Sequence, residues 1–534
     1  MRGGNIRIEK TNSYRWHCGT VLLKTGLYVA YGKVAKFKKI GALMSEILTI
    51  AQMYDADKRT IENGLAGAVL MENAGQAVVD AIVPRFRPCA VSVLCGPGNN
   101  GGDGFVIARL LRTQGWNVRL GLLGNVTDLT GDAALNAEKW QGMVELLSPA
   151  LIVGADLIVD CIFGAGLSRD ITGDIAQLVQ VVNDSPASVV AVDMPSGVDG
   201  ASGAVRGVAI DADLTVTFCR AKPGHYLLPG RGMCGERIVA DIGISDETVA
   251  SLHPDMFVNN PDLWAGHIPW PGISGHKYNR GHVLALGGAQ TTGAIRLASR
   301  AARRAGVGLL TVLAEPAALP LYAQDAPGVM VAPIARFEDL MQDCRHNGVL
   351  VGPGAGVGDD TRRRVVYALH CARACVLDAD ALTSFADEPS TLFFAIQGPT
   401  VMTPHEGEFS RLFADMTGDK VARARAAAKR SGAVIVLKGA DTVVAAPDGR
   451  VAINDIFAPW LATAGSGDVL AGIIIGLLAQ GMPAFEAASM AVWVHGQSGY
   501  EFGPGLIAED IPDALPALLS QLWRGVPGKQ GIAG

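Results

Sequence analysis

The feature that most constrains this chain is an alternation running from Met44 onward: short β-branched or otherwise apolar runs, most of them closed by a glycine-rich or aspartate-bearing turn and followed by a helical stretch. A chain written this way folds as parallel α/β layers. A strand buried on both faces reads as a continuous apolar run, and a helix must return the chain before the next parallel strand. In the first block the runs are Ala90–Cys95, Trp116–Leu123, Leu157–Phe163, Ser188–Asp193 and Asp213–Phe218, and the pattern fades near Ile244. Residues 245–275 are rich in Pro, Asn, Gly and Trp and lack sustained periodicity, so they form the interdomain connection and the lead-in to a second domain. There the runs are His282–Leu286, Leu309–Leu313, Val349–Val351, Cys375–Leu377 and Ala433–Leu437, then a hairpin, Val443–Ala446 with Val451–Asn454, around Pro447-Asp448-Gly449. Two tandem α/β domains are expected, 44–244 and 276–525, with residues 1–43 outside both.

The length of 534 residues suits that division, being too great for one ordinary core. Residues 1–43 hold nine Lys or Arg against Glu9 alone, so the net charge of −6 conceals a distinctly acidic body. Such a body argues against nucleic acid as a partner, because phosphate contacts need clustered positive charge, and points to small molecules. The basic arm reads as an extension upstream of Met44 in preference to a targeting segment, since Ser is scarce and no small-residue cleavage site follows an apolar core. The longest apolar run, Val469–Ala479, falls short of the roughly 18 residues of a membrane span. Nine cysteines with one close pair, Cys371 and Cys375, complete no zinc tetrad and suit free thiols in a reducing cytoplasm.

Chemistry concentrates at the strand ends. After Ala90–Cys95 comes Gly96-Pro97-Gly98-Asn99-Asn100-Gly101-Gly102-Asp103-Gly104, then an apolar helix from Phe105. Gly96-x-Gly98-x-x-Gly101 meets the dinucleotide fingerprint, and backbone N–H groups at a helix start suit a pyrophosphate. The second strand ends in Gly124-Asn125, without the acid that an NAD oxidoreductase places on the ribose. Asp160 and Asp193 close two further runs ahead of Gly164–Asp170 and Met194-Pro195-Ser196-Gly197. Each has a plainer role available, capping the turn that follows. Three glycine-rich ends opening on one crevice favour a binding site.

In order, Leu70-Met71-Glu72-Asn73-Ala74-Gly75, Gly98–Gly104, Asp160-Cys161-Ile162-Phe163-Gly164 and Asp193–Gly197 resemble the NAD(P)HX epimerase family over about residues 44–244. The resemblance implies a Rossmann-like domain that binds hydrated NADH or NADPH. Its contacts would be Asn99, Asn100, Gly101, Gly102 and Asp103, with Gly164, Ala165, Gly166, Leu167, Ser168, Arg169 and Asp170. It also implies potassium held by Asn100, Asp160 and Ser196, oxygen donors for a hard cation, and Asp193 on the substrate as the acid/base residue that interconverts the R and S hydrates.

The second domain offers Leu461-Ala462-Thr463-Ala464-Gly465-Ser466-Gly467-Asp468 ahead of an apolar helix, Val469–Gln480. Gly465, Ser466 and Gly467 leave backbone N–H groups free for a transferring phosphoryl group, and Asp468 is placed to take a proton from a hydroxyl nucleophile. A favourable position against the helix dipole is the plainer reading of Asp468. No G-x-x-x-x-G-K-[ST] motif occurs. Gly287-Gly288, Thr292–Arg296, Val351–Gly356, Thr403–Gly407 and Leu437–Thr442 add further strand ends and helix starts, and His405 stands open between a structural and a ligand role.

This block, from about residue 259 to 522, is similar to the ADP-dependent NAD(P)HX dehydratases of the ribokinase-like superfamily. The similarity implies that Ala294, Gly354, His405 and Asp468 contact the hydrated dinucleotide and that Lys438, Gly439, Ala440, Asp441, Thr442 and Gly467 hold the adenine nucleotide. Ala464-Gly465-Ser466-Gly467 stands where many members carry Gly-Gly-Thr-Gly. ADP would phosphorylate the hydrate's hydroxyl, phosphate would leave to regenerate NAD(P)H with AMP as the other product, and magnesium would bridge the phosphates.

The expectation is a cytoplasmic, homo-oligomeric bifunctional enzyme, free of membrane and nucleic acid, that epimerises NAD(P)HX and dehydrates its S form. The alternative is a ribokinase-like small-molecule kinase fused to a non-catalytic dinucleotide-binding or interaction domain. Asn100, Asp160, Asp193 and Ser196 together weigh against it.

Overall fold

A computed structural model describes residues 45–525, so the basic arm lies outside the described residues. Seven parallel strands form the first sheet, in the spatial order Val144–Leu146, Asn117–Leu122, Ala90–Cys95, Leu157–Cys161, Ser188–Val192, Leu214–Phe218 and Glu236–Ala240. Chain order reverses between Ala90–Cys95 and Leu157–Cys161, and the crevice beyond the carboxyl ends at such a reversal is where open α/β sheets bind ligands. The helix expected from Phe105 starts at Asn99 and runs to Thr113. The glycine-rich turn is therefore its opening, and a Cβ on Gly101 would lie 1.8 Å from the Gly96 carbonyl oxygen. Glycine lets helix and strand approach this closely.

The second sheet has eleven strands, in the order Glu46–Ile47, Met256–Val258, Val451–Ile453, Val443–Ala445, Val434–Leu437, Thr400–Met402, Ala374–Leu377, Gly348–Val351, His282–Leu286, Leu309–Ala314 and Met330–Pro333. From Val434–Leu437 to Met330–Pro333 the pairing is parallel, and the order reverses between Gly348–Val351 and His282–Leu286. The hairpin adds two antiparallel strands. Above this sheet the helices Thr292–Arg304 and Ser466–Leu478 pack so closely that a Cβ on Gly472 would lie 2.2 Å from the Ala298 carbonyl oxygen.

The two domains are stitched together at the far edge. Glu46–Ile47 pairs antiparallel with Met256–Phe257 of the second sheet, while the Leu48 N–H donates to the Ala221 carbonyl of the first domain (3.0 Å). Ile47, Ala221, Tyr226 and Leu227 share one buried cluster with Leu437, Val443, Val451 and Ile453, so an apolar core crosses the boundary. Polar contacts rim it: Arg237 Nη2 donates to Asp455 Oδ1 (2.5 Å), Arg231 Nη2 to the Asp455 carbonyl (2.6 Å), and the Leu228 N–H to Asp441 Oδ2 (3.0 Å). Among the described residues no helix is long and apolar enough to cross a membrane, and the eight cysteines are free.

Candidate active sites

A cavity of about 510 Å³ opens at the order reversal of the first sheet. Its walls include Asn99, Asn100 and Asp103 at the start of helix Asn99–Thr113, the loop Gly164–Arg169, and Asp193. The N–H groups of the helix's first residues have no intrahelical acceptor, which makes this a place for an anion. Gly101, Gly102 and Asp170 do not line the cavity; the two glycines sit against neighbouring backbone and side chains instead.

Asp193 leaves its strand with φ at +64°, a left-handed conformation uncommon outside glycine. Its carboxylate accepts three donors: the Ala165 N–H on Oδ2 (2.8 Å), and Thr217 Oγ1 (3.0 Å) and Lys222 Nζ (2.7 Å) on Oδ1. Lys222 is 2% exposed at its side chain and also donates to Thr217 Oγ1 (2.8 Å). His225 Nδ1 accepts the Lys222 N–H (2.9 Å), which leaves the proton on Nε2 to donate to the Asp193 carbonyl (2.8 Å). Burial alone would raise the Asp193 carboxyl, but the Lys222 ammonium and these hydrogen bonds outweigh it and hold it at about 2.

Asp160 lies beneath the cavity, fully buried. It accepts Ser196 Oγ (2.6 Å) and the Ile162 N–H (3.2 Å) on Oδ1 and the Ser196 N–H (2.7 Å) on Oδ2. Burial pushes its carboxyl up to about 6, against the pull of these neutral donors. Asn100, with its amide oriented to suit its neighbours, donates to the Val192 carbonyl (3.1 Å) and accepts the Gly164 N–H (3.3 Å).

In the second domain, Gly465 (φ +87°) caps the helix Ser466–Leu478, which opens three residues earlier than expected. The Ser466 N–H is spent on the Thr463 carbonyl (3.4 Å), which removes it from the three donors expected at Gly465, Ser466 and Gly467, while Asp468 adds its own N–H in the same first turn. Burial and the Asp378 carboxylate push Asp468 up to about 6; Lys438 offsets this in part. Lys438 itself is drawn to Asp378 (Nζ to Oδ1, 2.8 Å), with Glu408 Oε2 at 3.8 Å. Burial would lower the Lys438 ammonium, but the carboxylates around it raise it.

The remaining expected residues divide. Leu297, one helical turn from Ala294, touches Gly465, and the Gly354 carbonyl accepts Thr291 Oγ1 (3.3 Å), so these segments meet at the head of the same crevice. His405 caps the helix Glu406–Leu412: its Nδ1 accepts the N–H groups of Gly407 (2.9 Å) and Glu408 (3.1 Å), and the ring is exposed. In Lys438–Thr442 only Lys438 turns into the crevice. Asp441 Oδ1 pairs with Lys420 (2.5 Å), Thr442 Oγ1 closes back on the Gly439 carbonyl (2.6 Å), and the Ala440 carbonyl accepts Arg231 of the first domain (3.1 Å).

Sequence reasoning passed over Lys222, Asp378, Tyr54 and Asp57. Asp378 carried the same signal as Asp160 and Asp193, an acid closing an apolar run. Tyr54 and Asp57 belong to the helix Ile50–Glu62, where an acid interrupts an apolar face. Lys222 had no local signal, since its partner lies 29 residues away.

Comparison with known proteins bears on both halves. A family model described as NAD(P)H-hydrate dehydratase matches residues 283–514, and another, described as YjeF-related protein N-terminus, matches residues 67–224. A solved ADP/ATP-dependent NAD(P)H-hydrate dehydratase from Bacillus subtilis aligns with 50% of this chain and 98% of its own at 26% identity, with a TM-score of 0.45. The bifunctional NAD(P)H-hydrate repair enzymes Nnr of Moorella thermoacetica and Salinibacter ruber are each 36% identical to this chain over 90% of its length and over 98% and 97% of theirs. With similarity spanning both domains and nearly all of each relative, the chain belongs to the family of bifunctional NAD(P)H-hydrate repair enzymes.

Proposed function

We propose that the first crevice interconverts the R and S hydrates of NADH and NADPH and that the second dehydrates the S form at the expense of ADP, giving AMP and phosphate. The observation that carries the first half is Asp193, held ionised by a buried lysine at the wall of a dinucleotide-sized cavity whose other wall is a helix start. Asp193 takes and returns the proton of the hydroxyl on the hydrated carbon. Asn99, Asn100 and Asp103 with Gly164 to Arg169 hold the dinucleotide, and Gly101, Gly102 and Asp170 support them.

In the second crevice Asp468 accepts the proton of the hydrate's hydroxyl as its oxygen attacks the terminal phosphorus of ADP, and AMP departs. The ester then loses phosphate while a proton leaves the adjacent carbon, and the ring double bond returns. The N–H groups of Gly467 and Asp468 face the transferring group, Ala294, Gly354 and His405 hold the hydrate, and Lys438 with Gly467 holds the nucleotide, Gly439, Ala440, Asp441 and Thr442 shaping the loop that presents Lys438.

Two ions fit these sites. Asp160 is a buried carboxylate with only neutral partners, and with Asn100 and Ser196 it forms an oxygen donor set suited to potassium, which would supply the missing positive charge beneath the cavity. Among the described residues no cluster of three His, Cys, Asp or Glu forms a metal cage. Magnesium would arrive on the phosphates, whose charge it would neutralise.

The test is to mix both hydrate epimers of NADPH with the protein, ADP and magnesium and to follow the absorbance of reduced nicotinamide. Full recovery is expected. Recovery that stalls near half overturns the epimerase assignment, and recovery independent of ADP overturns the dehydratase one.

A further inference from the structure

The helix Ile50–Glu62 is pinned at its start by a reciprocal cap: Gln52 N–H to Thr49 Oγ1 (3.1 Å) and Thr49 N–H to Gln52 Oε1 (3.0 Å). It lays Ile50, Met53, Tyr54, Asp57 and Ile61 along the cavity wall, spaced so that one helical face supplies them all. That face lies directly on the loops of the first site. A Cβ on Gly166 would be 2.4 Å from Tyr54 Oη, and one on Gly200 would be 2.8 Å from Ile50 Cδ1. Asp57 is the anomaly on this face. Its carboxylate has no hydrogen-bond or ion-pair partner among the described residues, whereas both oxygens of Asp193 are engaged.

We propose that Asp57 is a second catalytic residue of the first site, the proton donor that works opposite Asp193; this rests on the epimerase reading above. The charged and titratable groups facing it are Lys222 and Asp193 across the cavity, Asp103 from the helix Asn99–Thr113, the Cys219 thiol just past the strand Leu214–Phe218, and Tyr54 from its own helix. Burial, reinforced by Asp193 and relieved in part by Lys222, pushes the Asp57 carboxyl up to about 6, while Asp193 stays at about 2 despite its own burial. Two carboxyls in one cleft with proton affinities pushed apart form an acid and base pair.

The reaction needs such a pair. Hydration of the ring puts the hydroxyl on a carbon that also bears the ring nitrogen, and inversion there requires that carbon to become planar. Asp193 takes the hydroxyl proton, the C–O bond becomes C=O, and the C–N bond opens with its electron pair going to nitrogen, which takes the proton of Asp57. Rotation about the neighbouring C–C bond presents the other face. Closure then returns nitrogen's proton to Asp57 and the hydroxyl's proton from Asp193, so nothing is consumed.

The full chain, without ADP, is given separated R and S hydrates of NADPH, and their interconversion is followed by chromatography across pH. Asp57→Asn is expected to lower kcat on the order of 100-fold or more with KM little changed, and to abolish the loss of rate that the wild type shows as pH rises through about 6. Asp57→Glu regains part of the rate and that limb. Lys58→Ala, on the exposed side of the same helix, keeps the wild-type rate. Wild-type kcat in Asp57→Asn overturns the proposal. So does a loss that leaves the pH profile unchanged, or one that Asp57→Glu does not relieve while both variants melt with the wild type. A wild-type chain that interconverts nothing overturns the epimerase reading instead.

Discussion

The two crevices are built to one plan with its parts exchanged. In each, a lysine is bound to one aspartate at a strand end: Lys222 to Asp193 and Lys438 to Asp378. In each, another carboxyl lacks a cation of its own and is pushed up to about 6, Asp57 in the first and Asp468 in the second. The aspartates that the sequence motifs single out, Asp193 and Asp468, thus fall on opposite sides of this division. The lesson is that an acid at a strand end or helix start announces a site but not its protonation. That is decided by which carboxylate wins the lysine, and the lysine comes from a segment far along the chain.

The largest effect that bears on this comparison is expected from Asp468→Asn. ADP-dependent recovery of reduced nicotinamide should fall by up to about 10⁴-fold while R–S interconversion is untouched. A parallel loss of both would show that the crevices do not act separately. Next, Lys222→Met leaves a buried carboxylate without its cation and is expected to cost about 3 kcal/mol or more in denaturant unfolding at pH 7. Lys438→Met should cost at least as much, because the carboxylate it strands, Asp378, is 2% exposed at its side chain against 19% for Asp193. The sign with pH follows from Asp193, whose folded value lies below the ordinary one. Its stabilisation is present above about pH 4 and is lost as pH falls towards 2, so the gap between wild type and Lys222→Met should close in acid.

A smaller effect tests the exchange itself. As a base Asp468 works only when ionised, so the dehydration rate should fall as pH drops below about 6. Asp378→Asn removes a repelling neighbour and frees Lys438, and should shift that limb about one unit towards acid, read from kcat against pH. The smallest effect is at the domain boundary. Asp455→Ala removes the acceptor of Arg237 but leaves the guanidinium its bond to the His225 carbonyl (2.7 Å) and its place over the Tyr226 ring, so it should lower stability by about 1 kcal/mol with both activities retained.

The alternation of apolar runs and glycine-rich turns sufficed for the two parallel sheets because a doubly buried strand is a local signal. Strands lacking it were not legible: Glu236–Ala240 opens with two charges, and Thr400–Met402 has three residues. Asn99–Thr113 and Ser466–Leu478 were legible as helices but not their first turns, since glycine and asparagine read as loop until close approach to a strand or a neighbouring helix gives them a reason to be helical. The donors that set the charge of each crevice stayed hidden for another reason. Lys438 meets Asp378 across 60 residues, and only the completed sheet makes them neighbours.

The strand Glu46–Ile47 carries a consequence for how the protein is made. It leaves the ribosome about 210 residues before its partner Met256–Phe257, a wait on the order of 10–40 s at ordinary rates of translation. The first domain can close its own seven-stranded sheet in that interval, yet its opening strand has only its bridge to Ala221, with the other edge unpaired, until the second domain begins to emerge. A gene cut between Ile244 and Met256 would make that wait permanent and leave each product with an open edge. The two halves should therefore be expressed apart only with residues 45–48 moved to the second product or blocked by a charge.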